Sequence, residues 1–167
     1  MANINDAEIV KGLVPGTKTD TFVLGDVVAA RKIAEHGLDV IRRFSEAVIK
    51  QDIETAYGLC ANEFRCSFSI KRFITDLRKA DEQYSGKPIN FTPERITWIY
   101  ADESFRKESN KEGDWPKDTP KPNKRALVGG SWTTGKTVDG DIGRSVFFWV
   151  TEEAEGYRIA KFKQYRQ

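Results

Sequence analysis

The sequence predicts an α+β fold, three helices followed by an antiparallel meander of about four strands. Two observations predict it. Through the first half, apolar residues recur at steps of three or four, the period of an amphipathic helix. From residue 94 onward the apolar runs are aromatic and β-branched, and the last three are separated by turn-rich segments. Residues 1–25 read as a polar N-terminal arm, and 26–167 as one domain with a single shared core.

Val27, Ala30, Ala34, Leu38, Ile41, Phe44 and Val48 form one stripe of a helix over about residues 26 to 50, with Asp26 available to cap its start. Gly37 can kink that helix or split it, and AEHG can equally end a shorter first helix. In KQDIETAYGLCANEF, Asp52 precedes a second apolar pattern of Ile53, Ala56, Tyr57, Leu59 and Cys60 and reads as its N-cap. Ser69 is placed to cap a third helix whose face carries Ile70, Phe73, Ile74, Leu77 and Tyr84, and Gly86-Lys87-Pro88 stops it. The strand runs are 94–101, 124–134, 143–151 and 156–165. Between the first two lies a connection, 102–123, rich in proline and mixed charge, in which Trp115 is a bulky apolar group among polar neighbours.

The 27 basic and 25 acidic residues are interspersed and leave a net charge of +2, so no strong field attracts nucleic acid or an anionic membrane. No run of 18 apolar residues occurs, and MANINDAEIVKGLVPG has no apolar segment of signal-peptide length. The expectation is a soluble, cytoplasmic protein that binds neither nucleic acid nor membrane. Cys60 and Cys66 match no common metal-site spacing and read as free thiols, although a bridge between them is geometrically conceivable. The lone His36 cannot by itself form a histidine-based metal site. No metal or cofactor is expected.

One motif asks for a different reading. Gly130 to Thr137 fit G-x-x-x-x-G-K-[ST], the pattern of a phosphate-cradling loop. Such a loop needs a helix after it, whose N-terminal N–H groups meet the phosphates. Here Gly140 and Gly143 follow, and then SVFFWVT, which is strand-like. The segment is therefore expected to be a strand running into a glycine-rich hairpin. The four tryptophans, Trp98, Trp115, Trp132 and Trp149, fall at a constant spacing of 17, but their contexts share nothing else and indicate no repeat.

The phrases FSEAVIKQDIETAYGLCANEF and GYRIAKFK, with the order of elements, resemble the nuclear transport factor two-like superfamily over about residues 35 to 165. The resemblance implies a cone of helices against a curved antiparallel sheet, a pocket between them, and often a homodimer through the sheet's outer face. The superfamily contains both enzymes and proteins without catalysis, so it does not decide activity. In SVFFWV, Val146, Phe148 and Val150 point one way and Phe147 and Trp149 the other, so both faces of that strand need cover. A symmetric dimer through the outer face supplies it.

For function, the residues favour a non-catalytic domain that binds a small apolar or aromatic ligand, or a protein partner. Tyr57, Phe73, Trp98, Tyr100, Trp132 and Trp149 are the candidate ligand-binding residues, because aromatic walls with few polar groups suit such a ligand. The alternative is a lyase or isomerase of the steroid isomerase or dehydratase type, which would need an ionisable group and an oxyanion donor in the pocket. No catalytic residue is assigned: the three C-terminal strands have no acid in their interiors, and Asp76 sits beside Arg72 and Lys79 on a charged helix face. Arg158, Lys161, Lys163 and Arg166 make the last strand basic, which a solvated face explains.

Overall fold

The computed structural model describes residues 8–11, 13, 20–24, 26–84, 86–100 and 125–166, and the side chains of Trp98 and Tyr100 fall outside that description. Two short strands, β1 (Glu8–Lys11) and β2 (Asp20–Leu24), precede the helices. Then come α1 (Val27–Ile49), α2 (Ile53–Gly58), α3 (Asn62–Ser67) and α4 (Ile70–Gln83). The chain ends in β3 (Asn90–Tyr100), β4 (Arg125–Thr137), β5 (Gly140–Glu153) and β6 (Gly156–Arg166). The fold is α+β, as the change of period predicts.

The helix starts lie where the sequence places them. Asp26 accepts from the Val28 and Ala29 N–H groups, Asp52 from Thr55 and Ser69 from Arg72, each satisfying backbone donors that have no partner inside the helix. Two expectations about helices are corrected. Gly37 does not split the first helix, because α1 runs unbroken past it and buries it against Val150. An additional six-residue helix, α3, stands between the second and third expected ones. The break between α1 and α2 falls at Gln51, which takes a left-handed backbone at φ 62°.

All six strands form one sheet in the order β1-β2-β3-β4-β5-β6. The four long strands make the expected antiparallel meander, and part of the N-terminal arm extends it: β1 pairs with β2, which lies parallel to β3. Register shifts break the β3–β4 ladder between Pro93 and Arg95 and again between Ile96 and Trp98. The first shift places an extra residue on β3 opposite Gly129 and Gly130, next to Pro93, which has no N–H to give the ladder. Gly130 serves a different purpose: a Cβ there would stand 2.6 Å from the Phe91 ring, so glycine lets that ring cross the strand.

Residues 130–137 lie within β4, and Val138 and Asp139 form a two-residue turn into β5, with Gly140 at φ 132°. The phosphate-loop pattern is therefore a strand and hairpin, with no helix to receive an anion. The 102–123 connection and Trp115 lie outside the described residues.

The main core lies between the helices and one face of the sheet. Ile33, Ile41 and Phe44 of α1 and Phe73 of α4 meet Ile99, Val128, Trp132, Val146, Phe148, Val150 and Ile159. The alternation expected along β5 is present. Val146, Phe148 and Val150 join this core, while Trp149 joins a second cluster with Ala61 and Ala160, against which Phe147 and Leu127 pack.

Candidate functional site

A cleft of about 500 Å³ opens between α3, α4 and the end strand β6. Its floor is aromatic. Phe64 projects from α3, and Phe68, the extended residue that caps its C-terminal end, joins it in the cleft. Their ring centroids lie 5.0 Å apart. Phe73 from α4 meets Phe64 edge-on at 6.0 Å and Phe162 of β6 at 5.9 Å, the T-shaped geometry favoured by ring quadrupoles. Phe162 also packs 5.2 Å from Phe44, so the floor is continuous with the core behind it. Around the rim stand Glu63, Asp76, Lys79, Gln83, Lys161 and Lys163.

The far end of the cleft is held by a buried cation. Arg144 is fully buried, and its guanidinium distributes its donors over four partners. Nη2 donates to Asp81 Oδ1 at 2.7 Å, Nη1 to the Gly86 carbonyl at 2.7 Å and the Tyr84 carbonyl at 3.3 Å, and Nε to Gln164 Oε1 at 2.6 Å. The guanidinium carbon lies 5.6 Å from the Trp132 ring centroid. Tyr84 and Gln164 are themselves cleft residues, so this network ties the C-terminal end of α4 to β6 and sets the separation of the two walls. A rigid planar fork suits the task, since it satisfies carboxylate, carbonyl and amide acceptors together.

Of the candidate ligand-binding residues, Phe73 lines the cleft. Tyr57 lies behind it, 5.6 Å from the Phe73 ring, and its hydroxyl donates to the Phe68 carbonyl at 2.6 Å with the Arg65 carbonyl at 3.1 Å. Its proton is committed to bracing the turn between α3 and α4. Trp132 is fully buried in the core, stacked 6.4 Å from Phe44, with Nε1 donating to Ser45 Oγ at 2.9 Å. Trp149 is on the other face of the sheet, 3% exposed, with Lys161 Nζ 5.0 Å from its ring centroid. Trp98 pairs in register with Leu127, and Tyr100 with Arg125. The sequence reading missed Phe64, Phe68 and Phe162. The i, i+4 phenylalanines of NEFRCSF and the phenylalanine between Lys161 and Lys163 were the available signals.

A second, smaller groove of about 320 Å³ lies at the start of α1, bounded by Asp26, Val28, Ala29, Lys32, His36, Glu152 and Tyr157. The His36 and Tyr157 rings stack at 5.5 Å, and the Tyr157 hydroxyl donates to Glu152 at 3.0 Å. Burial, and then the hydrogen bond and charge of Glu152, raise the Tyr157 phenol above its ordinary range. Among the described residues, no group of three or more His, Cys, Asp or Glu side chains is placed to hold a metal ion, and no helix is long and apolar enough to cross a membrane. Both cysteines are free, with Cys60 buried and Cys66 exposed.

Comparison with protein-family models, curated proteins and solved structures found no match.

Proposed function

We propose that this chain is a non-catalytic binding domain of nuclear transport factor two-like type, acting in the cytoplasm, whose cleft takes an apolar or aromatic group from a small molecule or a protein partner. The observation that carries the proposal is the floor of Phe64, Phe68, Phe73 and Phe162 at the bottom of a 500 Å³ opening. A cleft of that size with an aromatic base and charged groups at its rim matches the usual anatomy of a small-ligand site. The order of helices before a long antiparallel meander supports the family reading.

The positions of the polar groups support binding rather than catalysis. A proton carrier for lyase or isomerase chemistry would be a carboxyl or imidazole held against the floor. The cleft's carboxylates, Glu63 and Asp76, are exposed residues, and Asp76 Oδ2 lies 4.0 Å from Arg72. Tyr57, one of the candidate ligand-binding residues, has its hydroxyl directed to backbone carbonyls.

The test is fluorescence titration with anilinonaphthalene sulfonate, a dye that brightens in apolar sites. Wild type should brighten and saturate, and Phe68→Asp, which places a charge on a half-buried floor position, should weaken binding about tenfold. Equal binding by both proteins would contradict this placement of the site.

The proposal includes a homodimer through the outer sheet face. Its support is Phe147, half-buried and edge-on to Tyr165 at 5.5 Å, with Tyr165 38% exposed. Because Trp149 is already covered within one chain, a partner would seat mainly on these two rings. Sedimentation should give twice the chain mass for wild type and the single-chain mass for Phe147→Lys; a wild-type monomer at all concentrations would end this part of the proposal.

A further inference from the structure

The β6 residues that line the cleft are five in succession, Ala160 to Gln164. Successive strand side chains point to opposite faces, so a wall formed by one face would show every second residue. Here Phe162 and Gln164, in register with Phe148 and Val146, belong to the helix side. Lys161 and Lys163 belong to the other side, where their ammonium groups lie 5.0 Å from the centroids of Trp149 and Tyr165 respectively. The cleft therefore runs along the side of the strand, and β6 is the last strand of the sheet.

One end of that edge is already paired. The Ala61 N–H donates to the Ile159 carbonyl at 2.7 Å and the Ile159 N–H to the Leu59 carbonyl at 2.9 Å, with Cys60 parallel to Ile159. The pairing stops because α3 begins at Asn62 and turns the chain away. Among the described residues, no backbone hydrogen bond continues it along Ala160 to Gln164. Ala160 is an extra residue where the β5–β6 register shifts between Trp149 and Val150, so the regular edge presented to the cleft is Lys161 to Gln164, about 13 Å of strand.

We infer that the cleft's occupant is an extended segment of a partner polypeptide, alternating apolar and acidic residues, that continues this pairing as an added strand. The inference rests on the proposed reading of the cleft as a site for apolar groups and names the partner. An added strand places its side chains level with those of the strand it joins. Its apolar positions then fall beside Phe162, over Phe64, Phe68 and Phe73, and its acidic positions beside Lys161 and Lys163. Main-chain bonds along the edge hold such a segment, and the alternate side chains select it. The two lysines also oppose edge-to-edge pairing with a second copy of β6, since like charges would meet.

The test uses the full chain and an acetylated, amidated peptide, Glu-Phe-Glu-Leu-Glu, followed by amide NMR and hydrogen exchange. The peptide should shift the Ala160–Gln164 amides saturably and slow their exchange. Affinity should fall about tenfold when the peptide backbone is N-methylated, and by a similar factor when its three glutamates become lysines. Unchanged amides at millimolar peptide, or equal binding by the N-methylated form, would overturn the added strand. Anilinonaphthalene sulfonate titrated in parallel separates the two proposals: it still binds if the strand alone is wrong, and fails to bind if the cleft is no binding site.

Discussion

Arg144 carries the largest single electrostatic commitment among the described residues. Its guanidinium is fully buried, and Asp81, Gln164 and two carbonyls accept from it in place of the water it lost. Arg144→Ala should lower stability by about 3–5 kcal/mol in urea unfolding, because truncation leaves Asp81 and the carbonyls without their donor. A loss below about 1 kcal/mol would mean that water replaces the guanidinium without difficulty. Arg144 was not singled out in the sequence, where it is the second residue of the predicted strand run 143–151. Its position two before Val146 and four before Phe148, on the core-facing alternation, was the available clue. Cys60 makes a prediction in pH. Burial pushes its thiol up to about 12, so the folded state holds the proton when the unfolded state has released it. Below the unfolded thiol's range this difference has no effect on stability. As pH rises from about 9 toward 12 the unfolded chain binds fewer protons and stability falls, by up to on the order of 4 kcal/mol from this group. Cys60→Ala should therefore flatten the alkaline limb of the stability curve; an identical limb would show that the thiol is not the cause.

At the scale of elements, legibility followed locality. The three capped helices were visible because a cap and an apolar stripe are both written within a few residues: Asp26, Asp52 and Ser69 all accept the bonds expected of them. The long strands were visible because β-branched and aromatic residues fill them. β1 and β2 were hidden in the polar arm because four- and five-residue strands carry little pattern, and β2 is fixed by parallel pairing of Phe22 with Trp98, 76 residues away, which no local signal encodes. Gly37 was misleading for a related reason: its helix-breaking tendency is overridden by the packing of α1 along its whole length. A Cβ at position 37 would touch Val150 Cγ1 at 3.5 Å, an ordinary contact. Gly37→Ala should accordingly raise stability by about 0.5–1 kcal/mol, measurable as a higher melting temperature, and a destabilised variant would show that the helix–sheet spacing there tolerates no added methyl.

For the molecule as a whole, the sequence reached the architecture more fully than the site. Layer order and the antiparallel meander follow from periodicities that are local. The cleft does not, because it forms where α3, α4 and β6 converge, and its floor is assembled from residues 64, 68, 73 and 162. Tryptophan is the larger and more conspicuous aromatic, which drew attention to Trp132 and Trp149, yet size also favours burial. One fills the main core and the other the opposite face of the sheet. The open floor is instead phenylalanine, from the short α3 and its C-cap, from α4, and from an end strand whose significance emerges from the sheet order. Arg144 then joins architecture to site by fixing the distance between α4 and β6, so its loss should loosen the cleft as well as the fold.

The most direct measurement is an NMR screen of small aromatic and aliphatic fragments against the full chain. The proposed function predicts that binders share one footprint, with the ring resonances of Phe64, Phe68, Phe73 and Phe162 shifting together and those of Tyr157 unchanged. Binders that instead perturb Tyr157 and His36, or a screen in which no fragment moves the four phenylalanines, would contradict it.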